Sequence, residues 1–236
     1  MEIDKVQWAS LKRRTREELG AERIDQVQVG KIRKTLVDRR IIFIAIPSFS
    51  YNQWIMQITQ IMTNLFNRNT YLSLVWSPEI MLKQMGDYNR SHTPKINLDN
   101  IYFLDASTQT LDNPENEPTG LKKAMNALKD PVKAFQALGA KRICNIRHTL
   151  GDEDEILREV LANIHENKSK GIFIDSLGIL SNYYGDNMRV LRLAHNLMHK
   201  LLEQNVKGVF PFPIDTENIQ LGKELQMFAD GVLILK

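Results

Sequence analysis

The stretch "IIFIAIPSFSYNQWIMQI", Ile41 to Ile58, carries the decisive signal of this chain. Its first six residues are apolar and mostly β-branched, the composition of a buried strand. Pro47 stops the run, because it brings no backbone N–H to a ladder. Ser50 followed by Gln53 has the spacing of a capping box, so a helix is expected to start there and run to about Asn67. A strand leading straight into a helix is the elementary unit of a wound α/β fold.

The same alternation continues outward. "TYLSLVW" (70–76) and "NIYFLDA" (100–106) read as strands. Residues 107–120 form a polar, proline-bearing loop, and a helix is expected around 121–129. "RICNIRH" (142–148) is the next strand, and "DEDEILREVLANIHEN" (152–167) a helix with acids in the first turn, where the macrodipole favours them. Strand "GIFIDSL" (171–177), helix 186–205, strand 206–212, helix 216–229 and strand 230–236 complete the series. The strands are continuous apolar runs rather than alternating ones, which is expected when both faces of a sheet are covered. The pattern therefore predicts a three-layer α/β sandwich with a mostly parallel central sheet over 39–236. Residues 1–38, with helical patterns over 4–19 and 25–36, read as an N-terminal helical extension.

Bulk properties agree with a folded domain. The chain has 236 residues, 43% hydrophobic and 25% charged, ordinary values for a globular protein. A single cysteine, Cys144, excludes an internal disulfide framework and a CxxC zinc site. Inside a strand run, it reads as a buried hydrophobe. A reducing cytoplasm fits this cysteine usage. No run reaches the ~20 apolar residues of a membrane span, and the N-terminus lacks the apolar core of a signal peptide. The net charge is +3. Residues 1–40 hold 11 Lys/Arg against 7 Asp/Glu, so the basic excess lies there.

In parallel sheets the ligand crevice lies at the carboxyl edge. The residues expected at that edge are Pro47 and Ser48, Ser77, Asp105, Arg147 and His148, Asp175 and Ser176, Phe212 and Pro213. An acid ending a buried strand, as Asp175 does, holds Mg²⁺ in phosphate-handling α/β proteins, or else caps a turn. The partner motif would be the phosphate loop G-x-x-x-x-G-K-[ST], whose glycines let backbone N–H groups wrap phosphate while the lysine reaches the β/γ oxygens. The matching window, Ser48, Phe49, Ser50 and Tyr51 with their neighbours, has neither glycine nor lysine. What remains is a helix N-terminus, which attracts anions weakly, with Ser50 as its expected cap.

The segment from Gly171 to Lys236 resembles the C-terminal half of RecA-superfamily, KaiC-like ATPase domains of archaeal type. The resemblance rests on the "IDSL" strand end, the helix "VLRLAHNLMHKL", the "GVF" strand and the closing "FADGVLIL". "NIYFLDAST" and "IRHTLGDEDEILREVL" stand upstream in the expected order, so the likeness covers roughly 39–236. It implies a RecA-like, P-loop NTPase fold. It places Asp175 at the Walker B aspartate and Asp105 near the strand that carries acidic catalytic residues. It implies Mg²⁺-ATP as the family's cofactor, with Asp175 as metal ligand only if Mg-nucleotide binds. The Walker A glycines, lysine and hydroxyl have no counterpart. Ser50 and Thr59 are hydroxyls of that region, not aligned ones. The chain is thus expected to be a degenerate member, a pseudo-ATPase without a tightly held cofactor.

Other candidates yield to simpler readings. His195 and His199 form H-x-x-x-H on a helix, without the metalloprotease glutamate or an evident third ligand, so a partly exposed helix face is expected. Arg147 with His148 has the chemistry to bind an anion but reads as surface charge. "LKRRTR" (11–16) is followed by glutamates that neutralise part of it. Trp8, Trp54 and Trp76 read as core or interface residues. Three functions are therefore expected in order: a cytoplasmic regulatory or protein-binding module that self-associates or pairs with RecA-like domains, a nucleotide binder with a non-standard loop, and a nucleic-acid accessory using the basic N-terminal segment.

Overall fold

A computed structural model of the chain describes residues 26–107, 143–146, 151–214 and 219–235. Helix α1 (Gln26–Asp38) leads into β1 (Ile41–Pro47), and a 3₁₀ turn over Ser48–Ser50 joins β1 to α2 (Tyr51–Leu65). There follow β2 (Asn69–Ser73), α3 (Pro78–Ser91), β3 (Ile101–Asp105) and β4 (Ile143–Asn145). Then come α4 (Glu153–Asn167), β5 (Gly171–Asp175), α5 (Gly178–Tyr184) and α6 (Asn187–Glu203). The described chain closes with β6 (Lys207–Ile214), α7 (Ile219–Leu225) and β7 (Gly231–Ile234).

The seven strands form one sheet in the order β4-β3-β2-β5-β6-β1-β7, every pairing parallel. The period of two along each strand divides the core. Ile42, Ile44 and Ile46 of β1 pack with Ile32 and Leu36 of α1, the apolar face of α2, and Met81 and Met85 of α3. Ile41, Phe43 and Ala45 face the opposite layer, built from α4, α5, α6 and α7. Because both faces are covered, β1 is buried at every position, which is why the strand reads as an unbroken apolar run.

The expected three-layer α/β sandwich is present, with its sheet wholly parallel. Several local expectations differ. Helix α3 was not anticipated, although Ser77 accepts a hydrogen bond from Ile80 N and Pro78 follows it, the usual N-cap and N1 pair. Strand β2 stops at Ser73, earlier than Trp76, because Asp175 captures the backbone beyond it. The carboxyl-edge residue expected at Ser77 is therefore the cap of α3. Phe212 and Pro213 lie inside β6, which runs on to Ile214. Cys144 is exposed, a correction to its reading as a buried hydrophobe: β4 is an edge strand, paired on one side only. The helices read over 4–19 and 121–129 lie outside the described residues.

At the amino edge of the sheet, α1 is fastened to the strands. Lys207 at the start of β6 donates from Nζ to the carbonyls of Leu36 and Val37, 2.6 Å each, and of Arg39 at 2.9 Å. These are the carbonyls a helix end leaves without partners. The Asp230 carboxylate accepts from Ile41 N at 2.8 Å and from Arg40 N at 3.0 Å. Ile32 and Leu36 of the segment read as an extension are fully buried in the core.

Candidate functional site

Register brings three polar residues side by side where the strands end. Ser73, last in β2, pairs with Asp105 of β3 on one side and Asp175 of β5 on the other. Their strand positions match Tyr71, Phe103 and Phe173, whose rings stack together on the α2 and α3 side of the sheet. The three polar side chains therefore belong to that same side.

Asp175 is completely buried. Its Oδ1 accepts from the backbone N–H of Leu74 and, at 3.2 Å, of Val75. Its Oδ2 lies 3.1 Å from Ser73 Oγ. The carboxyl thus caps the turn that leads from β2 to α3, a neighbouring strand's turn rather than its own. Burial raises its pKa from 3.8 to about 7, against the opposing pull of the hydrogen bonds from Leu74, Val75, Ser73 and Trp76. Ser73 Oγ donates to Asp175 Oδ2 and also contacts the carbonyl oxygen of Trp76.

Tyr51, the first residue of α2, closes the other side. Its ring is buried and its hydroxyl, without a hydrogen-bond partner among the described residues, lies beside Asp175 and Ser176. Burial first, and then the Asp175 carboxyl, push the Tyr51 phenol well up. Tyr71 shows the same shift for the same reasons. Ser176 follows with φ 65°, a left-handed conformation in a residue other than glycine, and turns the chain from β5 into α5. Two residues on, a Cβ at Gly178 would stand 3.0 Å from the Phe212 ring and 3.2 Å from Ser176 Oγ, so the turn packs without room for a side chain.

The remaining loop residues do not converge on a ligand. Ser48 Oγ donates to Ile214 O at 3.2 Å. Phe49 is 51% exposed and points outward. Ser50 does not cap α2, contrary to expectation: its Oγ donates to Pro47 O at 3.3 Å, because the 3₁₀ turn before it directs the hydroxyl back to β1. Thr59 lies two turns into α2, buried. Asp105 accepts from Ser107 N at 3.1 Å and from Ser107 Oγ at 2.8 Å, stabilising its own turn. Arg147 and His148 lie outside the described residues.

Mg-nucleotide chemistry needs a carboxylate open to a metal and a cation or open N–H cradle for phosphate. Here the carboxyl is enclosed and hydrogen-bonded to backbone, and a tyrosine ring stands at the helix entry. These residues do not fit that cofactor in this arrangement. His195 and His199 lie on the exposed face of α6, ring centroids 6.4 Å apart, with His199 Nδ1 3.2 Å from Glu203 and His195 edge-on to Phe228. No group of three His, Cys, Asp or Glu side chains among the described residues is placed to hold a metal ion. Sequence reading had singled out Asp175 and Tyr51 but not Ser73, whose signal was a lone serine inside an apolar strand.

No family model matches the chain, and no curated protein matches it. Among solved structures it is similar to a KaiC-like protein of the hyperthermophilic archaeon Pyrococcus horikoshii, with a TM-score of 0.52 at 12% identity. The match covers 83% of this chain and 72% of the other. At that identity the likeness concerns the fold alone, the wound α/β architecture of that KaiC-like protein. No described helix is long and apolar enough to cross a membrane.

Proposed function

We propose that this protein is a catalytically degenerate KaiC-like domain, a pseudo-ATPase that acts as a regulatory or protein-binding module. The observation that carries this reading is the fate of Asp175. Its carboxyl is buried and serves as a fastener for the turn after β2. An enclosed carboxyl committed to backbone N–H groups is closed to a metal, and Tyr51 takes up space beside it at the start of α2. The sheet then serves as a scaffold for surfaces. Its partner is a protein, either a second copy of this chain or another RecA-like domain, and sedimentation of the purified protein distinguishes self-association from a need for a different partner.

One observation favours a second reading. Helix α2 has no side-chain cap from Ser50, so its N-terminus keeps an attraction for anions. A thermal-shift titration with ATP and Mg²⁺ decides between them, since a ligand of the folded state raises the midpoint as its concentration passes Kd. The pseudo-ATPase reading expects no shift at millimolar nucleotide. A Mg²⁺-dependent rise lost in Asp175→Ala overturns it in favour of nucleotide binding.

A further inference from the structure

The opposite edge of the sheet carries a row of cations that the proposed function leaves unused. Arg68 precedes β2, Lys170 precedes β5, Lys207 opens β6 and Arg40 precedes β1, and these four strands are adjacent, Lys207 alone being held by the carbonyls at the end of α1. Backbone hydrogen bonds tie the positions to one another: Lys170 N to Arg68 O, Lys207 N to Lys170 O, and Gly208 N to Arg40 O. At about 4.8 Å per strand, the row spans about 14 Å. Arg39 and Lys168 stand beside it. Arg39, Arg40, Arg68, Lys168 and Lys170 are all exposed, and none of them has an ion-pair partner within 4.0 Å among the described residues. Two acids stand near Lys207: Asp230, committed to the backbone N–H groups of Arg40 and Ile41, and the exposed Asp38 at the end of α1.

Helix ends account for part of this arrangement. Each cation lies just past the C-terminus of α1, α2, α4 or α6, where the macrodipole favours positive charge. Parallel topology then gathers the junctions on one edge, so favourable local choices add up to a continuous basic strip. We infer that this strip binds the sugar–phosphate backbone of a nucleic acid, without reading its sequence. A linear file of cations suits a linear file of phosphates. An acidic membrane suits it less, because among the described residues Val37 is the large exposed apolar side chain beside the strip, while Val27 lies at the other end of α1, Phe49 at the far edge, and Tyr183, Met188 and Met227 on or next to helices of the α4–α7 layer.

The test is fluorescence anisotropy of a labelled mixed-sequence single-stranded 20-mer across a salt series. Four neutralised phosphates give a log–log salt slope of about −3. Arg68→Glu with Lys170→Glu is expected to weaken binding at least tenfold at low salt, while Lys83→Glu on α3 leaves it unchanged. Should the double reversal fail to fold by its thermal midpoint, Arg68→Gln with Lys170→Gln keeps the shape and is expected to weaken binding severalfold. The inference is overturned by absence of binding at low salt, or by capture of phosphatidylserine vesicles without capture of the oligonucleotide. It is also overturned if Arg13→Glu with Arg14→Glu abolishes binding that the edge variants leave intact.

Discussion

Asp175 is a buried carboxyl that fastens a neighbouring strand's turn. Its folded pKa of about 7 stands above the ordinary 3.8, so the native state binds this proton more tightly than the unfolded chain does. The stabilisation is complete below pH 4 and disappears as pH rises through 7. Within that window the stability should fall by up to about 1.4 kcal/mol per pH unit on this account. Asp175→Asn keeps the acceptor for Leu74 and Val75 and cannot ionise. Urea melts between pH 4.5 and 8 are expected to show a shallower pH slope for Asp175→Asn, with the variant the more stable of the two at pH 8. An unchanged slope would mean that Asp175 is ionised in the fold. This shift was not legible in the sequence. "IDSL" reads equally as a metal ligand or a turn cap, and the choice depends on Ser73, a hundred residues away in the chain and one strand away in space.

At the scale of elements, legibility followed pattern strength. Strands β1 and β5 are buried at every position, and an apolar run has only one solution in a covered parallel sheet. Helix α3 was missed because its apolar residues Met81, Leu82 and Met85 are embedded among polar ones and its start signal is a two-residue Ser-Pro. Ser50 carried the right capping pattern and failed to cap, because local spacing does not reveal a 3₁₀ turn upstream. The junction of α1 with β1 depends on a distant residue of the same kind. Lys207 satisfies three carbonyls at the end of α1. Lys207→Met keeps the aliphatic stem and removes the donors, and should cost about 1–2 kcal/mol. Hydrogen exchange is expected to show the loss first in α1, with the amides of β1 and β6 following only at global unfolding. Equal loss throughout would show that α1 does not open separately.

For the whole molecule, the sheet separates two chemistries. The carboxyl edge is closed over a buried acid whose pKa burial raises to about 7, and the amino edge is open and basic. Lys170 immediately precedes β5 and Asp175 ends it, about 16 Å apart at 3.3 Å per residue. Sites that distant act additively. Combining Lys170→Glu with Asp175→Asn is therefore expected to give a stability change within about 0.5 kcal/mol of the sum of the single variants. A larger discrepancy would reveal coupling through β5. The enclosure at the carboxyl edge also bears on what a nucleotide would require of this fold. Opening space beside Asp175 by replacing Tyr51 with glycine empties a buried ring volume, at a cost of about 3–5 kcal/mol by analogy with large-to-small core changes. Ionising Asp175 for a metal places a charge in the core that needs a partner there. The packing that closes this edge therefore works against phosphate and metal alike.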